Sequence, residues 1–308
     1  MRSKIILLII LIGVFAIKVN GKAQNEAVSV QEKIINKEAE DDNFIHAYLL
    51  LISEGKPWYS TCGHAAIRLV CPSKSLDYCF TFEMDMQESS YLDVVKRKAK
   101  GGFTSVPSTT YIKEYQKEGR GITSYELNLR PKEKQNLWKV LDKECTKGAT
   151  WTFDITTVNC LSMSLYAINK AVEPAEIKFK KLPRVVYDTL DEWIDYNTYQ
   201  SPWVRIGIHI ILYGVEDKQT RPEDLLTPKM MKAVMPHTII SEENGTYRPF
   251  AKNNPQSLTR QIYKNSPCWL TPFKVLMLGI FICALIIIFT CNVFRSVEQP
   301  KTIRNIQT

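Results

Sequence analysis

The sequence predicts an α+β fold that ends in a membrane-length helix, on three observations. Three segments, His64 to Val70, Leu76 to Phe82 and Thr123 to Leu129, alternate apolar and polar side chains with the two-residue period of strands. Leu161, Leu165, Ile168 and Val172 recur at helical spacing directly after a strand-like run. Val275 to Cys291 is a run of seventeen uncharged residues, eleven of them Leu, Ile, Val or Phe.

Taken in order, Arg2 and Lys4 precede a thirteen-residue apolar stretch, Ile5 to Ile17, which reads as a secretory signal over residues 1–21. Gly21 and Ala23 suit cleavage there; an uncleaved anchor is the other reading. Residues 22–43 are polar, with Glu38, Glu40, Asp41 and Asp42 clustered, as in a linker or a loose helix. The run Ala47 to Ile52 predicts a buried strand, and Gly55 and Pro57 a turn. In the next strand His64, Ala66 and Arg68 share one face. In the one after it Asp77, Cys79 and Thr81 do, so the two read as neighbours with a common polar face.

Ser108 is expected to cap a helix to Glu118 that Gly119 and Gly121 stop. Tyr125, Leu127 and Leu129 point inward from the following strand, and Pro131 opens a helix carrying Leu137, Val140 and Leu141. Trp151 to Ile155 reads as a short strand. Thr156 or Thr157 would cap the helix that begins near Asn159-Cys160. These elements make a domain over 44–172. Residues 173–267 form a mostly helical extension, with an apolar run from Pro202 to Tyr213 and a helix from Pro222 to Val234 carrying Leu225, Leu226, Met230 and Met231.

Residues 269–292 then form a transmembrane helix. About twenty helical residues rise roughly 30 Å, and the aliphatic side chains favour insertion by about 3 to 7 kcal/mol. Trp269 and Lys274 suit the interface. Arg295, Lys301 and Arg304 place the tail, 293–308, in the cytoplasm and the body on the other side.

Composition narrows the function. The 308 residues, 45% hydrophobic and 23% charged, describe a folded chain with one large core or two small ones. The net charge of +8 fits a lysine-rich surface or attraction to anionic headgroups. No dense basic run with interleaved aromatics points to nucleic acid. There is no CxxC pair, no HExxH, no phosphate-binding glycine loop and no GxSxG, and His46, His64, His209 and His237 are scattered, so no metal or cofactor is expected. Cys283 and Cys291 lie in the span and Cys268 flanks it. The other five, Cys62, Cys71, Cys79, Cys145 and Cys160, are odd in number, so at least one is free or pairs with Cys268. Bridges among Cys62, Cys71 and Cys79 stay open.

Cys160 in the first turn of a helix meets unpaired N–H groups and a positive dipole end, which favour thiolate and can receive an oxyanion. His64 on an adjacent strand would take the thiol's proton. Asp77, on the next strand's polar face, is the candidate that orients the imidazole. Arg68 shares the His64 face and is a candidate for gripping phosphate or carboxylate, or for a plain salt bridge.

The order Gly63-His64-Ala65-Ala66-Ile67-Arg68, Asp77-Tyr78, Tyr111, Tyr115, Gly119-Arg120, Leu127-Asn128-Leu129, Phe153-Asp154 and Asn159-Cys160 resembles the periplasmic domain of Lnb-type lipoprotein N-acyltransferases. Pro202-Trp203, Gly207, Gly214, Asp217 and Leu225-Leu226-Thr227-Pro228 extend the resemblance, which covers roughly 44–235. The chain departs from that pattern at Cys79-Phe80 and at Leu161-Ser162-Met163. The His-before-Cys order is similar to circularly permuted papain-like (NlpC/P60-type) thiol enzymes, and implies that fold for 44–172.

The resemblance implies Cys160 as nucleophile and His64 as base; Asn159, beside the nucleophile, and Arg68, on the His64 face, are candidate substrate-binding residues. It also implies an acyl chain passed from a phospholipid, through a Cys160 thioester, to the amine of a diacylglyceryl lipoprotein at the outer side of the bacterial inner membrane. A papain-like peptidase or amidase of the envelope, using the same residues with water as acceptor, is the alternative; a non-catalytic envelope binding protein is another.

Overall fold

The computed structural model describes residues 45–87, 89–213, 221–252, 254–264 and 268–297. The signal reading for 1–21, the acidic stretch 22–43 and the tail from 298 onward lie outside the described residues, as do Gly214 and Asp217. The architecture is mixed α+β with antiparallel sheets and a long apolar C-terminal helix.

The strands follow in chain order. They are β1 (His46–Ile52), β2 (His64–Cys71), β3 (Leu76–Met84), β4 (Lys100–Pro107), β5 (Ile122–Glu126), β6 (Trp151–Thr152), β7 (Glu176–Phe179), β8 (Thr238–Ser241), β9 (Tyr247–Pro249) and β10 (Gln256–Thr259). The main sheet has the order β10-β5-β1-β2-β3-β4-β6, and β7-β8-β9 make a second sheet. The helices are α1 (Tyr91–Val95), α2 (Ser108–Lys117), α3 (Pro131–Lys147), α4 (Cys160–Val172), α5 (Leu190–Thr198), α6 (Pro202–Leu212), α7 (Pro228–Val234) and α8 (Pro272–Val297).

Alternation along the strands sorts the sheet into two faces. Ala65, Ile67 and Leu69 of β2 join Leu49, Phe80 and Phe82 against Leu137, Leu141, Leu161 and Ile168 of α3 and α4. The opposite face buries Leu50, Ile52, Ala66, Cys79 and Ile122 under Tyr111 of α2. Removing each such aliphatic side chain from water stabilises the fold by roughly 1.5–3 kcal/mol.

Four differences from the sequence reading have physical reasons. β4 was not anticipated, because Gly101 and Gly102 carry no strand signal; a Cβ at Gly102 would meet the Gly148 carbonyl oxygen at 2.5 Å, so the close approach requires glycine. The second part is less helical than expected, since β7, β8 and β9 pair with one another and β10 returns to the edge of the main sheet. The helix expected from Pro222 to Val234 is broken: Pro228 holds Thr227 extended, and the Thr227 hydroxyl caps α7 at the Met230 N–H. β6 stops at Thr152, short of the expected Ile155.

Candidate active site

The segment before α4 is a built turn. The Asp154 carboxylate accepts bonds from the N–H groups of Thr156 and Thr157 (2.9 and 3.0 Å) and from the Thr156 hydroxyl (2.5 Å), and Arg97 binds its other oxygen. Burial alone would raise this carboxyl, but those bonds hold it down at about 2. The turn delivers Asn159, whose Oδ1 caps the helix by accepting from the N–H groups of Leu161 and Ser162 at 3.0 and 3.1 Å. Its Nδ2 donates to the carbonyls of Ile155 and Thr156. Thus Asn159, not Thr156 or Thr157, is the cap. Its amide is fully engaged in that role, which leaves it no bond for the substrate contact expected of it.

Cys160 is therefore the first residue of α4, and it is partly exposed. Burial of the thiol pushes it up to about 11, and the Glu83 carboxylate adds to the rise. The N–H groups of Ala65, Leu161 and Cys160 itself pull the other way. The sulfur thus lies beside the N–H of the peptide that leads out of His64.

His64 opens β2, at an end where the sheet splays. Residue pairing between β2 and β3 stops at Ala66 and Thr81, while β3 continues to Met84 beside β4. Gly63 makes the entry to β2 possible: its φ is +83°, and a Cβ there would meet the Ile52 carbonyl oxygen at 2.7 Å and Pro228 of α7 at 3.3 Å.

The imidazole shares the α2 face with Thr81. Its Nε2 is 2.7 Å from the Thr81 hydroxyl, which in turn donates to Glu83 at 3.4 Å. Glu83 Oε1 is 3.9 Å from Nε2, and its side chain is 49% exposed against 16% for His64. With Thr81 donating onward to Glu83, the tautomer that completes the chain of bonds is the one protonated at Nε2, whose basic site is the Nδ1 lone pair. Burial lowers the imidazole to about 3, and the Arg120 guanidinium pushes the same way. The resting pair is a neutral thiol and a neutral imidazole.

A column of rings backs the histidine. Tyr115 stacks on His64 at 6.2 Å, and the Arg120 guanidinium sits 4.7 Å from the centre of the Tyr115 ring. Arg120 is 3% exposed and donates to the Ser53 carbonyl at 2.7 Å; its Nη2 has no hydrogen-bond partner among the described residues. On the other side Cys62 neighbours Cys160: burial raises it to about 12, and Cys160 adds to the rise. Lys229, whose charge opposes that rise, is bonded to Glu54 at 2.8 Å and faces the rings of Tyr196 and Tyr199.

Cys160 and His64 both sit at the splayed end of β2, with Glu83 acting on each. Asp77 does not join them. It and Arg68 form a bidentate pair further along β2 and β3, with bonds of 2.7 and 2.5 Å, so the carboxylate expected to orient His64 is committed elsewhere. Thr81 occupies the place assigned to Asp77. Sequence reading put Thr81 on the correct face; the backbone register pairs it with Ala66, and its hydroxyl reaches His64, one step along that face, through the side-chain bond. Tyr115 and Arg120 stood in the sequence only as part of the family resemblance, with no role attached, and Glu83 carried no signal.

A family described as Lnb N-terminal periplasmic domain matches residues 34–196, more than half of the chain. The chain belongs to the Lnb family. No curated protein and no solved structure matches it. The Lnb match takes in His64, Thr81, Glu83, Tyr115, Arg120 and Cys160, and it ends inside α5. Beyond the Lnb domain lie α6, α7 and α8; the apolar stretch of α8, Pro272–Asn292, is long enough to cross a membrane and is exposed along its length.

Proposed function

We propose that this chain is a membrane-anchored thiol acyltransferase of the bacterial envelope. α8 is its span in the inner membrane, the site faces the periplasm, and the tail is cytoplasmic. The observation that carries the reading is the sulfur of Cys160, at a capped helix start, beside the peptide N–H that follows His64. β2 packs directly on α4 with the histidine strand ahead of the cysteine helix in sequence, and we read this as a circularly permuted papain-like core.

In the reaction, His64 Nδ1 takes the thiol proton as the sulfur attacks the ester carbonyl of a phospholipid. The N–H groups at the start of α4 stabilise the oxyanion. The carbonyl reforms, the carbon–oxygen bond breaks, and the lyso-lipid oxygen leaves with the proton from the imidazolium. The amine of a diacylglyceryl lipoprotein then attacks the thioester, loses its proton to His64, and releases an amide and the thiol. Burial suits this sequence: a thiol held neutral is not consumed by solvent chemistry.

The test is mass spectrometry of the full chain in nanodiscs with phospholipid. Acyl mass is expected on the peptide containing Cys160, and Cys160→Ala abolishes it. Addition of a diacylglyceryl lipopeptide discharges the adduct with appearance of the N-acyl product. An adduct that passes only to water identifies a hydrolase, and no adduct under any condition sinks the thiol mechanism.

A further inference from the structure

We infer that α6 is a membrane-docking helix, lying in the plane of the bilayer with Trp203, Ile206, Ile210 and Tyr213 seated at the headgroup–acyl boundary. The inference rests on α8 being a membrane span and is independent of the acyl-transfer chemistry.

α6 is apolar on two opposite faces. Ile208 and Leu212 are buried in the body, while Trp203, Ile206, Ile210 and Tyr213 follow one another at steps of three, four and three residues along the other side. These four are 48%, 42%, 59% and 87% exposed. A helix that is hydrophobic all round belongs in a core or in lipid, and half of this one is in neither. Its polar residues are paired: Arg205 with Asp195 at 3.2 Å, and His209, which borders Ile206, Ile210 and Tyr213, with Asp191 at 3.3 Å, both on α5.

What covers the face follows from its position. The Trp203 indole N–H donates to the Leu270 carbonyl at 2.8 Å, two residues before α8 begins at Pro272. The point where the chain enters the bilayer is thus bonded to the bare face itself. Eleven residues rise only about 16 Å, too short to cross, so α6 lies along the surface, as interfacial helices do. Trp203 and Tyr213 at its two ends are the residue types that prefer that depth.

This geometry presents the thiol to lipid. α5 packs beside α6, carries Tyr196 and ends at Tyr199; both rings face Lys229, whose charge acts on Cys62, a neighbour of Cys160. Docking α6 therefore sets the height of the site above the leaflet that supplies the acyl chain.

The experiment places photoreactive benzoylphenylalanine at Ile210, or at Lys74 in the turn at the far end of β2 from His64, in the full chain in phosphatidylethanolamine–phosphatidylglycerol nanodiscs. Lipid adducts at position 210 are expected in at least tenfold excess over position 74. Equal yields at the two positions, or adducts at 210 formed only with protein, overturn the docking inference. Release of the unlabelled chain from vesicles by alkaline carbonate overturns it by removing the span. Neither readout depends on acyl transfer. An Ile206→Asp, Ile210→Asp variant is expected to lose tenfold or more of the lipid adduct at Trp203→benzoylphenylalanine, with unchanged alkylation of Cys160 by iodoacetamide; an undiminished adduct also overturns the inference.

Discussion

The two ends of strand β2 each carry a polar partnership with β3, and they are built on opposite principles. At the outer end Arg68 and Asp77 stay charged. The bond to Asp77 raises the guanidinium, and although burial would raise the carboxyl, bonds from Arg68 and Ser108 leave it below its ordinary range. At the His64 end burial holds both the imidazole and the Cys160 thiol neutral. The first pair is chemically finished, with donor and acceptor matched. In the second, one nitrogen of Arg120, beside the ring that stacks on His64, has no hydrogen-bond partner among the described residues. Saturated hydrogen bonding marks a structural pair; spare capacity beside Cys160 suits the nucleophile's role proposed for it.

The comparison is broken most forcefully by the pH dependence of alkylation. With the thiol at about 11, iodoacetamide modification of Cys160 should rise tenfold per pH unit, about a hundredfold between pH 7 and 9, read by mass spectrometry of the Cys160 peptide. A rate that is flat from pH 5 to 8 would mean a standing thiolate–imidazolium pair and erase the contrast.

The next largest effect separates the two pairs by mutation. Thr81→Val removes the acceptor from His64 Nε2 while keeping shape, and should lower kcat for acyl transfer by about 10- to 100-fold and shift its pH profile. Arg68→Met should change kcat by less than about threefold. Equal losses would make the Arg68 end part of the chemistry.

The smallest effect is on stability. The folded-state pKa of Asp77 lies below the ordinary 3.8, so its contribution is present above that value and is lost as pH falls through the folded value. Asp77→Asn should cost roughly 0.5–1 kcal/mol at pH 7, given a pair that is partly exposed, and almost nothing near pH 2, measured by urea unfolding.

What the sequence disclosed follows the same division. Strands β1, β2 and β3, helix α3 and the start of α4 were legible because their apolar periods are local. β7 to β10 are four, four, three and four residues long and acquire their meaning from partners far along the chain, β10 from β5 and β7 from β8. The cap at Asn159 depended on the Asp154 turn, which no propensity of Thr156 or Thr157 reveals. The choice between Asp77 and Thr81 was likewise invisible: both lie on the polar face of β3, and the residue that meets His64 is fixed by which strand ends line up.

β10 has a practical consequence for anyone trimming the chain to a soluble form. It closes one margin of the sheet over β5, and Thr259 reaches both the Ile122 N–H and the Arg120 carbonyl. Ile262 and Tyr263 then donate to Gly119. A cut before Gln256 would bare an unpaired strand edge that recruits neighbours into aggregates, and would loosen the backbone that carries Arg120. A cut after Tyr263 sheds the long apolar helix α8 and leaves that margin sealed.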